Sequence, residues 1–190
     1  MSAPPRILAL DVATQTGAAE GRPGEIPTLS TLKFGGEGVS HARICANCLD
    51  WIALKLTDNP PDLIYIEAPL PIGAAFGKGR SNAKSIVRLQ GLYCIVLAAA
   101  TLKRIPCEDV DVMRVRTAFI GESKLRGEIA KQRCKMMCKM LGWEAKNVDE
   151  ADAAALWYFA CASVAPKLAP VIHAGMHKSL VNQSIAEMFR

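Results

Sequence analysis

The run Asp62-Leu-Ile-Tyr-Ile-Glu67 constrains the fold of this chain more than any other segment. Its inner residues are apolar without alternation, the pattern of a strand covered on both faces, and such strands occur where helices pack on both sides of a sheet. Arg6-Ile-Leu-Ala-Leu-Asp11 repeats the pattern near the start of the chain. Both runs end on a carboxylate, so each acid is placed where a strand leaves the sheet and solvent begins. A layered α/β domain is expected. The chain's 190 residues suffice for one such unit, which removes about 70% of the unfolded surface from water.

Punctuation around these runs predicts the remaining elements. Arg6 to Val12, Gly17 to Gly21 and Thr28 to Phe34 read as a meander of strands, with turn signals at Arg22-Pro-Gly24 and Gly35-Gly36. Ser40 to Leu56 reads as a helix that turns Ile44, Cys48, Trp51 and Ile52 to the core and stops at Pro60-Pro61. The Gly- and Pro-rich stretch 68–80 reads as a loop, Asn82 to Lys103 as a long apolar helix, and Ile105 to Val110 as a fifth strand. Ser123 is placed to cap a helix running to about Leu141, and Glu150 to Val164 forms an Ala-rich core helix. Residues 1–165 are expected to form one domain. Residues 166–190 are expected to form a C-terminal tail, with a short helix near Val181 to Phe189.

Asp149 and Asp152 lie three apart at the start of that last helix and therefore share a face. With Asp11 and Glu67 they give four acids at element ends. Carboxylate oxygens are hard ligands suited to Mg²⁺, and several converging on one spot repel each other unless a cation lies between them. A bland role competes at each position, since a strand-end Asp is a common turn residue and Asp149 is well placed to cap its helix. The joint pattern favours a metal site.

The ordered set of Asp11 followed by Thr16-Gly17, Glu67 ending the fourth strand, Leu89-Gln90-Gly91 in the next helix, and Asp149-Glu-Ala-Asp152-Ala resembles RuvC, the Holliday junction resolvase family of the RNase H-like nucleases. The resemblance runs from about Arg6 to Ala165. It implies an RNase H-like, five-stranded mixed sheet with helices on both faces. It also implies a metal-dependent endonuclease that resolves four-way DNA junctions by paired phosphodiester cleavage, leaving 5′-phosphate and 3′-hydroxyl ends. Two Mg²⁺ or Mn²⁺ ions would be held with Asp11 bridging both, Glu67 and Asp152 each binding one and Asp149 completing the set. A homodimer is implied as well, because paired cuts need two sites. The chain departs from the family in Ala13, where a Gly usually follows the first Asp by two residues, and in Leu70, where an aromatic usually follows the Glu by three. Leu70 as an apolar wedge, or Phe76 from the same loop as a stacking ring, would take that aromatic's place at the junction. Two other classes stay open: another RNase H-like nuclease acting on forks, branched DNA or RNA, and a non-catalytic scaffold, because Ile7 to Gln15 also resembles the opening strand of actin-like ATPases and TsaB proteins.

The formal net charge of +5 is modest, yet basic residues cluster after Glu67 and between Arg114 and Lys146, as expected for a polyanion held around a metal. Lys78, Arg80, Lys84 and Arg88 are candidate phosphate contacts. So are Lys124, Lys131, Lys135 and Lys139, which fall in a helical stripe about 80° wide. Leu125, Ile129, Met136 and Met140 would form that helix's apolar face. A lysine stripe is equally often a solvated face. Cys45-Ala-Asn-Cys48 lies within a predicted helix and has no second CxxC, so it reads as packing, and the seven cysteines read as reduced thiols. Met1-Ser-Ala-Pro-Pro lacks the features of a signal peptide, and no apolar run reaches the length of a membrane span. A soluble, cytoplasmic protein without membrane contact is expected.

Overall fold

A computed structural model of the chain describes residues 3–69, 83–125, 127–173 and 175–181. The sequence-derived candidates Leu70, Phe76, Lys78 and Arg80 lie outside these residues. Five strands, β1 (Ile7–Asp11), β2 (Gln15–Gly21), β3 (Thr28–Lys33), β4 (Leu63–Glu67) and β5 (Cys107–Val110), form one sheet in the order β3-β2-β1-β4-β5. β1 pairs antiparallel with β2 and parallel with β4, so the two apolar runs lie side by side at the centre. Helices α1 (His41–Asp58), α2 (Ala83–Leu102), α3 (Val112–Ile120), α4 (Gly127–Met140) and α5 (Val148–Val164) complete the fold, an α/β arrangement with a mixed sheet.

Strand alternation divides the core. Leu8, Leu10, Ala18, Ile64 and Ile66 face the layer that holds α1 and α2, while Ile7, Ala9, Ala19 and Tyr65 face α3, α4 and α5. Side chains on a strand alternate between faces, so Asp11 and Glu67, two residues beyond Ala9 and Tyr65, point to the α5 side. On that side α5 presents Ala151, Ala153, Ala154, Ala155 and Ala160, all buried, and these small side chains let the helix lie close on the sheet. Cys48 belongs to one core layer and Cys134 and Cys138 to the other. The sheet lies between them, so they cannot share a metal.

Several elements differ from expectation. Helix α3 was not anticipated: Asp111 caps it by accepting from the Met113 amide at 2.7 Å, and Gly121 ends it in the left-handed region at φ 77°. Helix α4 starts at Gly127 rather than after Ser123, so the exposed Lys124 precedes the helix and leaves the lysine stripe. Its buried face is Ala130, Arg133, Cys134, Met137 and Cys138, with Met136 and Met140 only half-buried. Ala130, the two thiols and Met137 join the core shared with α5, and the buried Arg133 pairs with Glu122 at 2.8 Å. The stretch Lys84–Leu102, with a mean hydropathy of 1.6, is long and apolar enough to cross a membrane by length and composition, contrary to the sequence expectation. In the fold Leu92, Val96 and Ala100 of this helix are buried in the core, while Val87 (58% exposed) and Leu102 (84%) face outward. Beyond α5 the chain turns back onto the same core: Leu180 is fully buried, Ile172 and Met176 pack beside it, and residues 175–181 are helical.

Candidate active site

Asp11 and Glu67 follow Leu10 and Ile66, which are paired in register across the parallel β1–β4 ladder, so the two carboxylates leave the sheet side by side. Directly across the antiparallel ladder from Asp11 stands Gly17. A Cβ at Gly17 would lie 1.9 Å from the Asp149 carbonyl oxygen. Only a glycine lets the first turn of α5 come down beside Asp11. The turn between β1 and β2 is closed by the buried Thr16, whose hydroxyl accepts from the Ala13 amide at 3.1 Å and donates to the Ala13 carbonyl at 2.7 Å. Ala13 keeps a negative φ, so this turn does not need the family's glycine.

The cap of α5 is Asn147, not Asp149. Its side chain accepts from the Glu150 amide at 2.9 Å. The buried Glu150 carboxylate accepts from Thr31 Oγ1 at 2.9 Å and from the Lys146 amide at 2.8 Å, and Asn147 Nδ2 donates to the same Thr31 oxygen at 2.6 Å. This closed set ties the helix start to β3 and leaves Asp149 free to face the site. Gln15 Nε2 donates to Asp149 at 2.6 Å, and Lys131 Nζ lies 3.8 Å from an oxygen of both Asp149 and Asp152. Asp152 also hydrogen-bonds with the Cys134 thiol. A cleft of about 230 Å³ opens over the group, lined by Asp11, Glu67, Asp149 and Lys131 and by Leu89, Gln90 and Tyr93 of α2.

The electrostatics are those of crowded acids. Burial first, then repulsion from Asp152 and Asp149, pushes the Asp11 carboxyl up from 3.8 to about 7, against the pull of Lys131 and Arg116. Burial followed by repulsion from Asp11 and Asp152 pushes Glu67 up from 4.5 to about 8. Asp152 is raised chiefly by burial, with Lys131 and Arg116 acting the other way. Ionising all of these acids at once would put more negative charge in the site than Lys131 and Arg116 balance.

The four acids expected from the sequence thus face one another at one end of the sheet. As a donor set they suit a hard divalent cation, and the mutual repulsion of Asp11, Glu67 and Asp152 is what such a cation would relieve. In the described structure, however, no three His, Cys, Asp or Glu side chains are close enough to hold one ion, and the Lys131 ammonium sits between Asp149 and Asp152. Among the other sequence candidates, Lys131 belongs to the carboxylate group rather than to a solvent stripe. Lys135 donates to the Lys146 carbonyl at 3.2 Å, and with the exposed Lys139 it lines a separate cavity. Lys84 and Arg88 lie on the other side of α2, in a groove with His41 and Val87. Sequence reasoning missed Arg116, whose helix had no apolar signal strong enough to announce it, and Gln15, whose role appears only when β2 and α5 meet.

No protein-family model and no curated protein sequence matches the chain. Solved structures do. T. thermophilus RuvC in complex with Holliday junction substrate matches with a TM-score of 0.62 and 15% identity, covering 84% of this chain and 96% of that one. The chain has a RuvC-type fold. The Thermus thermophilus RuvC structure matches with a TM-score of 0.57 at 17% identity over 87% of this chain and 99% of that one. The yeast mitochondrial Holliday junction resolvase Ydc2 matches with a TM-score of 0.52 at 12% identity over 80% and 75%. The RuvC-type fold is the RNase H-like α/β architecture expected from the sequence, down to the five-stranded mixed sheet.

Proposed function

We propose that the protein is a divalent-metal-dependent endonuclease that cuts branched DNA, with four-way junctions as the favoured substrate. The observation that carries the reading is the meeting of Asp11, Glu67, Asp149 and Asp152 at one end of the sheet, on a RuvC-type fold, with the Asp11 and Glu67 carboxyls pushed up by burial and by their acidic neighbours. Mg²⁺ or Mn²⁺ held by these four acids, two ions per site, would supply an activated water and stabilise the departing 3′ oxygen.

The remaining roles belong to the chain itself. Gln15 orients Asp149 by its hydrogen bond, and the cap at Asn147 aims the first turn of α5. Lys131 and Arg116 offset the acid charge, and both would turn toward a phosphate once the acids are neutralised. Lys135 and Lys139 continue along α4 as backbone contacts, which add affinity without reading sequence. Lys84 and Arg88 would contact a more distant arm. Leu70 and Phe76 keep their proposed roles at the junction centre, Lys78 and Arg80 theirs as backbone contacts, and Lys124 remains a proposed contact from its loop. Junction resolution needs two cuts, hence a homodimer.

Incubation with a labelled four-way junction, a fork, a linear duplex and an RNA hybrid, with and without Mg²⁺, tests the reading. Paired Mg²⁺-dependent cuts in the junction, ending in 5′ phosphates, are expected. Asp11→Asn, Glu67→Gln and Asp152→Asn should abolish cutting while junction binding survives. Equal cutting of the linear duplex would remove the junction assignment, and cutting by Asp11→Asn would remove the site.

A further inference from the structure

A second cavity, about 830 Å³, lies between α4 and the turn that follows it, and it falls within the size range of small-ligand pockets. Its wall is made by Gln132, Lys135, Met136, Lys139 and Met140 of α4 and by Gly142 to Ala145 of the turn. The turn is fixed: the Trp143 amide donates to the Cys138 carbonyl at 2.8 Å, and the Trp143 ring stacks on Phe119 and meets Trp157 edge-on. Lys135 closes one side by its bond to the Lys146 carbonyl. The cavity is thus preformed, and little ordering is needed to fill it.

Its chemistry is split. Half-buried Met136 and Met140, with the edge of Trp143, make an apolar floor, and thioethers favour contact with flat aromatic rings. Lys135 and Lys139 put two positive charges on the rim against the single carboxylate of Glu144, and neither lysine is paired with an acid among the described residues. Lys131, Lys135 and Lys139 are spaced by four residues, so the rim continues the line that begins at Lys131 between the acids.

We propose that this cavity binds one unpaired nucleotide of a nucleic-acid strand running from the carboxylate cleft along α4, with the base against Met136 and Met140 and its phosphate against Lys135 and Lys139. The proposal rests on the nuclease reading. Lys131 and Lys139 are eight residues apart, about 12 Å along the helix at ~1.5 Å per residue, so the bound nucleotide lies about three to four stacked positions from the cut. The base would be gripped by its apolar face rather than by hydrogen-bond readout, which makes the site tolerant of sequence.

Fluorescence anisotropy without divalent metal, on a labelled oligothymidine of about eight nucleotides and on the same backbone without bases, tests it independently of cleavage. Wild type should prefer the thymidine strand by about tenfold, within the range of base contacts of this kind. The Met136→Ala/Met140→Ala double variant should lose that preference, and Lys139→Glu should weaken both probes. Equal affinity of the wild type for the two probes overturns the proposal. So does a preference retained by the double variant, or displacement by an acidic amphipathic peptide at lower concentration than by oligothymidine. Melting of each variant guards against misfolding, and the wild-type comparison decides on its own if the double variant does not fold. Failure of the nuclease reading appears separately, as absent cutting with the base preference intact.

Discussion

Gly17 and Asp149 approach so closely that a Cβ on the glycine would fall 1.9 Å from the aspartate's carbonyl oxygen. Gly17 is paired with Asp11 across the β1–β2 ladder, so this missing side chain sets the distance between the sheet's acid and the helix's acids. The obstacle is backbone, not a flexible tip. Gly17→Ala must therefore shift α5 or β2, at a cost of about 2 to 4 kcal/mol. Cleavage should fall by more than the loss of folded protein explains. A melting temperature equal to wild type would sink the argument.

Raised carboxyl pKa values make the metal-free protein sensitive to pH. The folded state binds protons to Asp11 and Glu67 up to about pH 7 and 8, whereas the unfolded chain releases them near 3.8 and 4.5. Between those limits the native state holds more protons, so stability is greatest below about pH 4 to 5 for these two groups and is lost as pH rises through 7 to 8. Asp11→Asn should stabilise the metal-free protein at pH 8 by on the order of 2 kcal/mol and change little at pH 5. Mg²⁺ should raise the melting temperature more at pH 8 than at pH 6. Thermal melts across this range check both, and a wild type whose stability rises steadily from pH 5 to 8 would contradict the assignment.

Lys131 holds the place that a divalent ion would compete for. Its ammonium is 3.8 Å from both Asp149 and Asp152. Lys131→Ala should leave these acids without their nearest cation, so the metal-free protein loses stability and Asp11 and Asp152 titrate higher still. Divalent ions should bind no more weakly than in wild type. If Lys131 also meets a phosphate, DNA binding loses about one unit of its salt slope. Unchanged melting and an unchanged slope together would return this lysine to a solvent role.

The central strands and the two strand-end acids were legible because unbroken apolar runs have few alternatives in a chain of this size. Helix α1 was legible from a different pattern: Ile44, Cys48 and Ile52 repeat at helical spacing, and all three are buried. Helix α3 was not, since its nine residues carry two arginines and bury only Val115, Phe119 and Ile120. Arg116 was lost with it. On α4 the register misled: Met136 and Met140 looked like the core face, but the buried face is Ala130, Arg133, Cys134, Met137 and Cys138, turned by about one residue from the expected one. The family signal in Asp149-Glu-Ala-Asp152 named the acids, yet Asn147 as the cap followed only from geometry.

Glu150 is the acid of that motif that points away from the cleft. Its side chain is 3% exposed, and it shares hydrogen bonds with Thr31, Lys146 and, through its own amide, Asn147. Nothing charged neutralises it in this network, so its stability depends on those donors being held in place. Glu150→Ala should cost about 2 to 4 kcal/mol, and Thr31→Val about 1 to 2 kcal/mol by leaving a buried carboxylate oxygen and the Asn147 amide without their partner. The two changes remove one shared bond, so the double variant should cost less than the sum. Because the network fixes the first turn of α5, Thr31→Val should also weaken Mg²⁺ activation of cleavage, although Thr31 never touches the cleft. Additive losses in urea melts would show that Thr31 and Glu150 stabilise the fold independently, and an unchanged Mg²⁺ dependence would show that α5 holds its acids without help from β3.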